Sequence, residues 1–192
     1  YGKTYDALVS SGLYEKLIQR GLLVSHQEAV DDSVPNTTDS HVLLEPQQIP
    51  FISYPYEWSF SQLKAAAMVT LRVQHEALNH GFILKDASAF NVQFLGSKAV
   101  FIDTLSFEPY QPGQPWVAYK QFCQHFLAPL ALMAATDVEL SRLLISHIDG
   151  IPLPLASKLL PLKTRLNYSL ATHIHLHSSS HIISNFINSI SI

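Results

Sequence analysis

Glycine is scarce in this chain of 192 residues: the seven glycines stand at positions 2, 12, 21, 81, 96, 113 and 150. No Walker A loop, dinucleotide fingerprint or kinase-type glycine loop can be written with that spacing. Any nucleotide is therefore handled by carboxylates and amides, or by parts lying outside the chain. Cysteine is nearly absent. Cys123 stands alone, which excludes an internal disulfide and a Cys-based zinc site and fits a reducing cytosol. Charge is sparse too, at 14% Asp, Glu, Lys and Arg with a formal net charge of −3, so there is no basic footprint for nucleic acid. Long hydrophobic runs are also missing. Gln121 to Thr136 is uncharged for 16 residues but contains His125 and Pro129, and it is short of the ~20 residues a spanning helix needs. Leu166 to Ile192 is uncharged over 27 residues, yet holds four His, seven Ser and three Asn. Neither spans a membrane. The chain opens Tyr1-Gly2-Lys3 with no secretory signal pattern, and reads as a cytoplasmic piece of a longer protein.

What is present is an apolar content of 47% and a mean hydropathy of +0.14. A chain of this size has enough apolar material for a real core, burying roughly 70% of its unfolded surface. Tyr5, Leu8, Val9, Leu13, Leu17 and Ile18 recur at helical spacing, although Gly12 weakens the run, and Gly21 is placed to end it. Leu22 to Val24 and His41 to Leu44 read as short strands, separated by a polar surface loop over Asp31 to Ser40. Three prolines at 46, 50 and 55 keep the next stretch extended or turned. A helix follows, opened by a Ser59/Gln62 capping box and closed by Gly81. Beyond it, Val92 to Leu95 and Ala99 to Ile102 flank a Gly96 turn as a β-hairpin. Helices are then expected from about Trp116 to Ala135 and from Asp137 to Ile148, with three prolines among apolar residues over Ile151 to Leu162.

The chemistry gathers in Leu84-Lys85-Asp86-Ala87-Ser88-Ala89-Phe90-Asn91 and Phe101-Ile102-Asp103-Thr104. The order is helix, loop with Asp and Asn, hairpin, Asp. Phosphoryl transfer needs such a set: one carboxylate to position a hydroxyl and accept its proton, and an amide plus a second carboxylate to hold Mg²⁺. The plainer reading makes Asp86 and Asn91 turn residues that bond their own backbone, with Asp103 ending a strand.

This segment resembles the catalytic lobe of the protein-kinase-like fold, over roughly Glu45 to Glu108 with Tyr54 to Glu57 as the hinge. The resemblance implies Asp86 as the catalytic-loop aspartate, and Asn91 and Asp103 as ligands of the metal in Mg-ATP. It departs from the pattern at Leu84, where a His is usual, and at Thr104-Leu105, where Phe-Gly is usual. The expected strand lysine is missing as well, since residues 21 to 63 contain no Lys or Arg.

A wider resemblance rests on Ile49 to Phe60, Leu84 to Asn91, Phe101 to Glu108 and Pro115 to Leu132, and extends to about His177. These runs are similar to the region preceding the methyltransferase domain in bacterial class I SAM-dependent methyltransferase family proteins, some of nodulation type. The resemblance implies a downstream methyltransferase domain that binds S-adenosylmethionine at a site outside this chain. The chain itself shows no acidic-ended strand followed by a Gly-x-Gly turn. The expectation is an α+β, protein-kinase-like chain with a partial N-terminal lobe over 1–44, a mainly helical lobe over 45–177 and an atypical tail over 178–192. Its function is then that of a segment within a methyltransferase-family protein, a small-molecule phosphotransferase, or a pseudokinase-like module that binds nucleotide or substrate.

Two weaker patterns complete the reading. His173, His175 and His177 alternate with Ile174 and Leu176, so on a strand they would share one face, either as a zinc site or as a polar surface. Trp58, Trp116 and the Tyr54/Tyr56 pair either line a slot or close a core edge, and Gln124-His125 is placed to be a buried polar anchor.

Overall fold

Helical spacing at the N-terminus yields two helices rather than one. Helix α1 (Gly2–Ser10) and helix α2 (Leu13–Gln19) are separated at Gly12, whose φ of +74° is left-handed. Only glycine takes that conformation without strain, so the residue that weakened the periodic run is where the run breaks. The computed structural model describes residues 1–29 and 42–177. The polar loop expected over Asp31 to Ser40, the start of the strand at His41 and the tail over 178–192 lie outside the described residues.

The chain divides into two compact units, neither continuous in sequence. The first comprises residues 1–53, 68–86 and 91–117. Beside α1 and α2 it contains strand β1 (His26–Ala29) antiparallel to β2 (Leu43–Pro46), β3 (Phe82–Leu84) antiparallel to β6 (Phe107–Pro109), and the hairpin of β4 (Val92–Leu95) and β5 (Lys98–Phe101). The hairpin register pairs Val92 with Phe101 and Leu95 with Lys98 across the Gly96 turn. The short strand expected at Leu22 to Val24 contributes a single parallel bridge, Leu23 to Phe101. Leu8, Leu13, Leu17, Leu23, Leu84, Phe101 and Phe107 are fully buried in this unit, with the Phe101 and Phe107 rings meeting edge to face at 6.3 Å.

Helix α3 (Phe60–Asn79) begins in the second unit and ends in the first. Its capping box forms as expected. Ser59 N–H donates to Gln62 Oε1 at 3.0 Å, and Gln62 N–H donates back to Ser59 Oγ at 3.3 Å. Gly81, with φ +79°, follows the last turn.

The second unit comprises residues 54–67, 87–90 and 118–192, and its described part is helical. The helix expected over Trp116 to Ala135 is interrupted. Helix α4 (Tyr119–Phe122) runs into a π-helical turn over Cys123–Leu127 before helix α5 (Ala128–Ala135) resumes. Pro129 has no N–H, so it cannot bond the carbonyl four residues back, and its ring crowds that carbonyl. The wider turn relieves the conflict, with Ala128 N–H reaching Cys123 O. It also leaves Gln124 O to accept from Ile151 N–H at 2.9 Å. Asp137 to Ile148 forms a 3-10 turn over Val138–Arg142, capped by Asp137, followed by helix α6 (Leu143–Ser146). The proline-rich stretch adds helix α7 (Leu153–Leu159), which starts at its own prolines as proline's fixed φ favours. Cys123, Ala128, Leu132, Leu144, Ile151 and Ile174 form the core of this unit.

The contact between Ile151 and the π-turn depends on Gly150. Its φ is +94°, and a Cβ there would lie 2.6 Å from Gln124 Cβ. Gly150→Ala is expected to destabilise the chain by about 2 kcal/mol or more, combining left-handed strain with overpacking. Denaturant midpoints of the two proteins check this.

Candidate functional site

Strand β3 delivers the chain to Asp86, and the buried Gln74 and the half-buried Trp116 fix its end. Gln74 Oε1 accepts from Leu84 N–H at 2.8 Å, and the Trp116 indole N–H donates to Leu84 O at 2.7 Å. Trp116 therefore anchors the strand before the loop, and Trp58, 3% exposed, is a core residue. Tyr54 and Tyr56 stack on each other at 5.4 Å with 8° between their planes. Within the second unit, Ala87 N–H donates to Gln121 Oε1 at 2.8 Å, and the Phe90 ring meets that of the buried His125 edge-on at 6.3 Å.

Asn91 and Asp103 are brought together through a residue the sequence reading passed over. Ser106 Oγ–H donates to Asp103 Oδ2 at 2.5 Å, and the same oxygen accepts from Asn91 Nδ2 at 3.3 Å. Ser106 is 1% exposed. Its carbonyl accepts from Lys85 N–H at 2.8 Å, so the backbone just before Asp86 is held by the residue that joins the other two. Asp103 Oδ1 accepts from Leu105 N–H at 2.8 Å, which makes Asp103 to Ser106 a tight Asx turn. Asn91 O accepts from Ile102 N–H at 2.8 Å, fastening the hairpin end to the loop end. The signal for Ser106 was present in the sequence: an Asp with a Ser three residues on is a turn pattern, but nothing in it says which side chain reaches across to Asn91.

The turn is buttressed from the N-terminal segment, by Tyr1 at the N-cap of α1 and Tyr14 in α2. Tyr1 Oη–H and Tyr14 Oη–H both donate to Thr104 O, at 2.9 and 2.8 Å. Burial, the largest cause for each phenol, raises both above the ordinary tyrosine value, so both remain protonated donors. Lys85 Nζ stands 5.2 Å from the centre of the Tyr1 ring, a cation–π contact. Tyr14→Phe is expected to remove about 1 kcal/mol of stability, the usual net value of one hydrogen bond, while leaving far-UV circular dichroism unchanged.

The three alternating histidines lie on a helical turn, Ala171–Leu176 with His177 following, not on a strand. Helical rotation sends alternate residues to different faces. His173 hydrogen-bonds Tyr119 Oη, and the His177 ring lies 5.4 Å from the Tyr119 ring. His175 is buried between Ser157 Oγ, 2.8 Å from Nδ1, and Thr164 Oγ1, 3.0 Å from Nε2. Thr164 gives its one proton to Pro161 O at 2.6 Å, so it accepts from Nε2–H, and Nδ1 of the neutral ring accepts from Ser157. Among the described residues, no group of three His, Cys, Asp or Glu is placed to hold a metal ion.

Burial first, then the Arg165 charge, lowers the pKa of His175 from its ordinary 6.5. The unfolded chain then binds a proton more readily than the folded one. Stability should therefore fall as pH drops through 6.5 and level off once the folded ring also protonates. Urea denaturation across this window is expected to show the slope in the wild type and a flatter line in His175→Gln.

No family model matches the chain, and no solved structure matches it. It is 39% identical over 163 residues to the nodulation protein NoeA of Rhizobium meliloti (strain 1021), which is 84% of this chain and 34% of that protein. The chain thus spans about a third of the length of the curated relative it matches. Among the described residues, no helix is long and apolar enough to cross a membrane.

Proposed function

We propose that this chain is a protein-kinase-like module within a longer bacterial protein related to nodulation proteins and to the SAM-dependent methyltransferase family. In this reading Asn91 and Asp103 hold a divalent cation against the phosphates of a nucleotide. The observation that carries it is the Asn91–Ser106–Asp103 chain, which joins an amide and a carboxylate from two ends of a hairpin through one buried hydroxyl. Homology to the nodulation protein and the mixed α+β architecture support the wider placement.

The donor set fits magnesium. Mg²⁺ takes hard oxygen ligands and is commonly held by one or two carboxylates together with substrate phosphates and waters. A carboxylate and an amide oxygen meet that need when phosphate oxygens complete the shell. When bound, Mg-ATP would supply a phosphoryl group whose negative charge is partly neutralised. The chain's own contribution is binding and orientation. The Asx turn fixes the Asp103 carboxylate, Ser106 ties it to Asn91, and the Lys85 N–H bond to Ser106 O sets the backbone entering Asp86.

The described residues do not fit S-adenosylmethionine. Their sheets are three antiparallel two-stranded pairs, with no parallel strand leading to a Gly-x-Gly turn. Methyl transfer is assigned to a downstream domain outside this chain, and the module described here serves by binding nucleotide or presenting substrate. With no cation over residues 21–63 and no glycine loop, binding is favoured over phosphoryl transfer.

Calorimetry with ATP, with and without Mg²⁺, tests the reading. Wild type should bind ATP in a Mg²⁺-dependent manner, and Asp103→Ala should weaken binding at least about tenfold. Binding unaffected by the substitution would sink the assignment. Turnover of the γ-phosphate that disappears in Asp86→Ala would make the module a phosphotransferase instead.

A further inference from the structure

Hydrogen-bond direction within the Asn91–Ser106–Asp103 chain is fixed by chemistry. The Asp103 carboxylate is acceptor-only, so the bond to Oδ2 uses the single proton of Ser106. Ser106 Oγ can then meet Asn91 only as an acceptor, which requires the amide nitrogen to face it. The amide oxygen of Asn91 is consequently turned to the opposite side. Had Asn91 faced Ser106 through its oxygen, the hydroxyl would need two protons.

We infer that Ser106 is a positioning residue that selects one of the two orientations of the Asn91 amide, and so presents the Asn91 oxygen for a divalent cation alongside Asp103. This rests on the cation reading above and adds the element that makes an Asn usable there. An Asn side chain offers oxygen and nitrogen at nearly the same place, and only the oxygen ligates Mg²⁺ or Mn²⁺. A freely turning amide would spend part of its time presenting N–H groups to the cation. Ser106 is almost completely buried, so water does not compete well for its lone pairs, and the selection is strong for a single hydroxyl. Ser106 would act through Asn91, by holding its amide, rather than by touching a bound cation.

Two readouts on the full chain separate this role from general structural support. The first is the side-chain amide signal of Asn91 in ¹⁵N-labelled protein without metal, assigned by its loss in Asn91→Ala. In wild type its Nδ2 protons should exchange with water more slowly than those of an exposed asparagine, and in Ser106→Ala they should exchange about tenfold faster. The second is calorimetric affinity for ATP with Mn²⁺ and without metal. Ser106→Ala should lose about tenfold with Mn²⁺ and nothing without it. If Ser106→Ala fails to fold, Asp103→Asn replaces the acceptor-only end of the chain by a group that can also donate. It keeps the shape, and the Asn91 amide should again lose its single orientation.

An Asn91 signal identical in wild type and in the folded variant overturns the inference. So does unchanged Mn²⁺-dependent affinity in Ser106→Ala where Asp103→Ala has lost it. Wild-type protein that binds no ATP with Mn²⁺ overturns instead the cation reading and the purpose assigned to Ser106, while the amide signal still shows whether Ser106 orients Asn91.

Discussion

A buried hydroxyl has one proton to give, and at Ser106 it goes to a carboxylate. From that single direction the arrangement of the first unit's loop cluster follows. The proton defines Asp103 as the sink of the chain and Asn91 as its source. The carbonyl of the same residue holds Lys85, and the Asx turn that places Ser106 is made by Asp103 itself. Sequence neighbours (Asp103 and Ser106) and sequence-distant groups (Asn91 and Lys85) are thereby tied at one residue. A substitution of its side chain would leave Asn91 Nδ2 and Asp103 Oδ2, both on half-buried residues, without this partner, while the Lys85 N–H bond to the backbone carbonyl would remain.

Local patterns were legible where the deciding interactions are local. The Ser59/Gln62 cap, the Gly96 hairpin and the left-handed glycine after α3 could be read directly because each is settled within a few residues. The placement of Asn91 and Asp103 near one another could be expected from a hairpin joining them. What could not be read was set by partners far along the chain. The π-turn before Pro129 exists together with a carbonyl bond to Ile151, and the pairing of β3 with β6 spans strands of only three residues. His173, His175 and His177 alternate with apolar residues as a strand would, yet Tyr119, Ser157 and Thr164 take hold of a helical turn. Tertiary partners there outweigh a period of two.

Scarcity of glycine has a structural counterpart. Where a nucleotide-binding loop commonly uses unobstructed backbone N–H groups, here side-chain amides and an indole N–H hold backbone in place: Gln74 and Trp116 on Leu84 in the first unit, and Gln121 on Ala87 in the second. Such a loop is rigid by side-chain bonding rather than adaptable by glycine.

The two tyrosines on Thr104 have an electronic consequence. Thr104 C=O and Leu105 N–H belong to one peptide group, and Leu105 N–H is the donor to Asp103 Oδ1. Two phenols drawing electron density toward the oxygen make the nitrogen end a better donor, because resonance links the two ends of the amide. Tyr1, at the N-cap of α1, and Tyr14, within α2, therefore reach the carboxylate without touching it: their hydroxyls pull on one end of a conjugated bond, and Asp103 is bonded to the other.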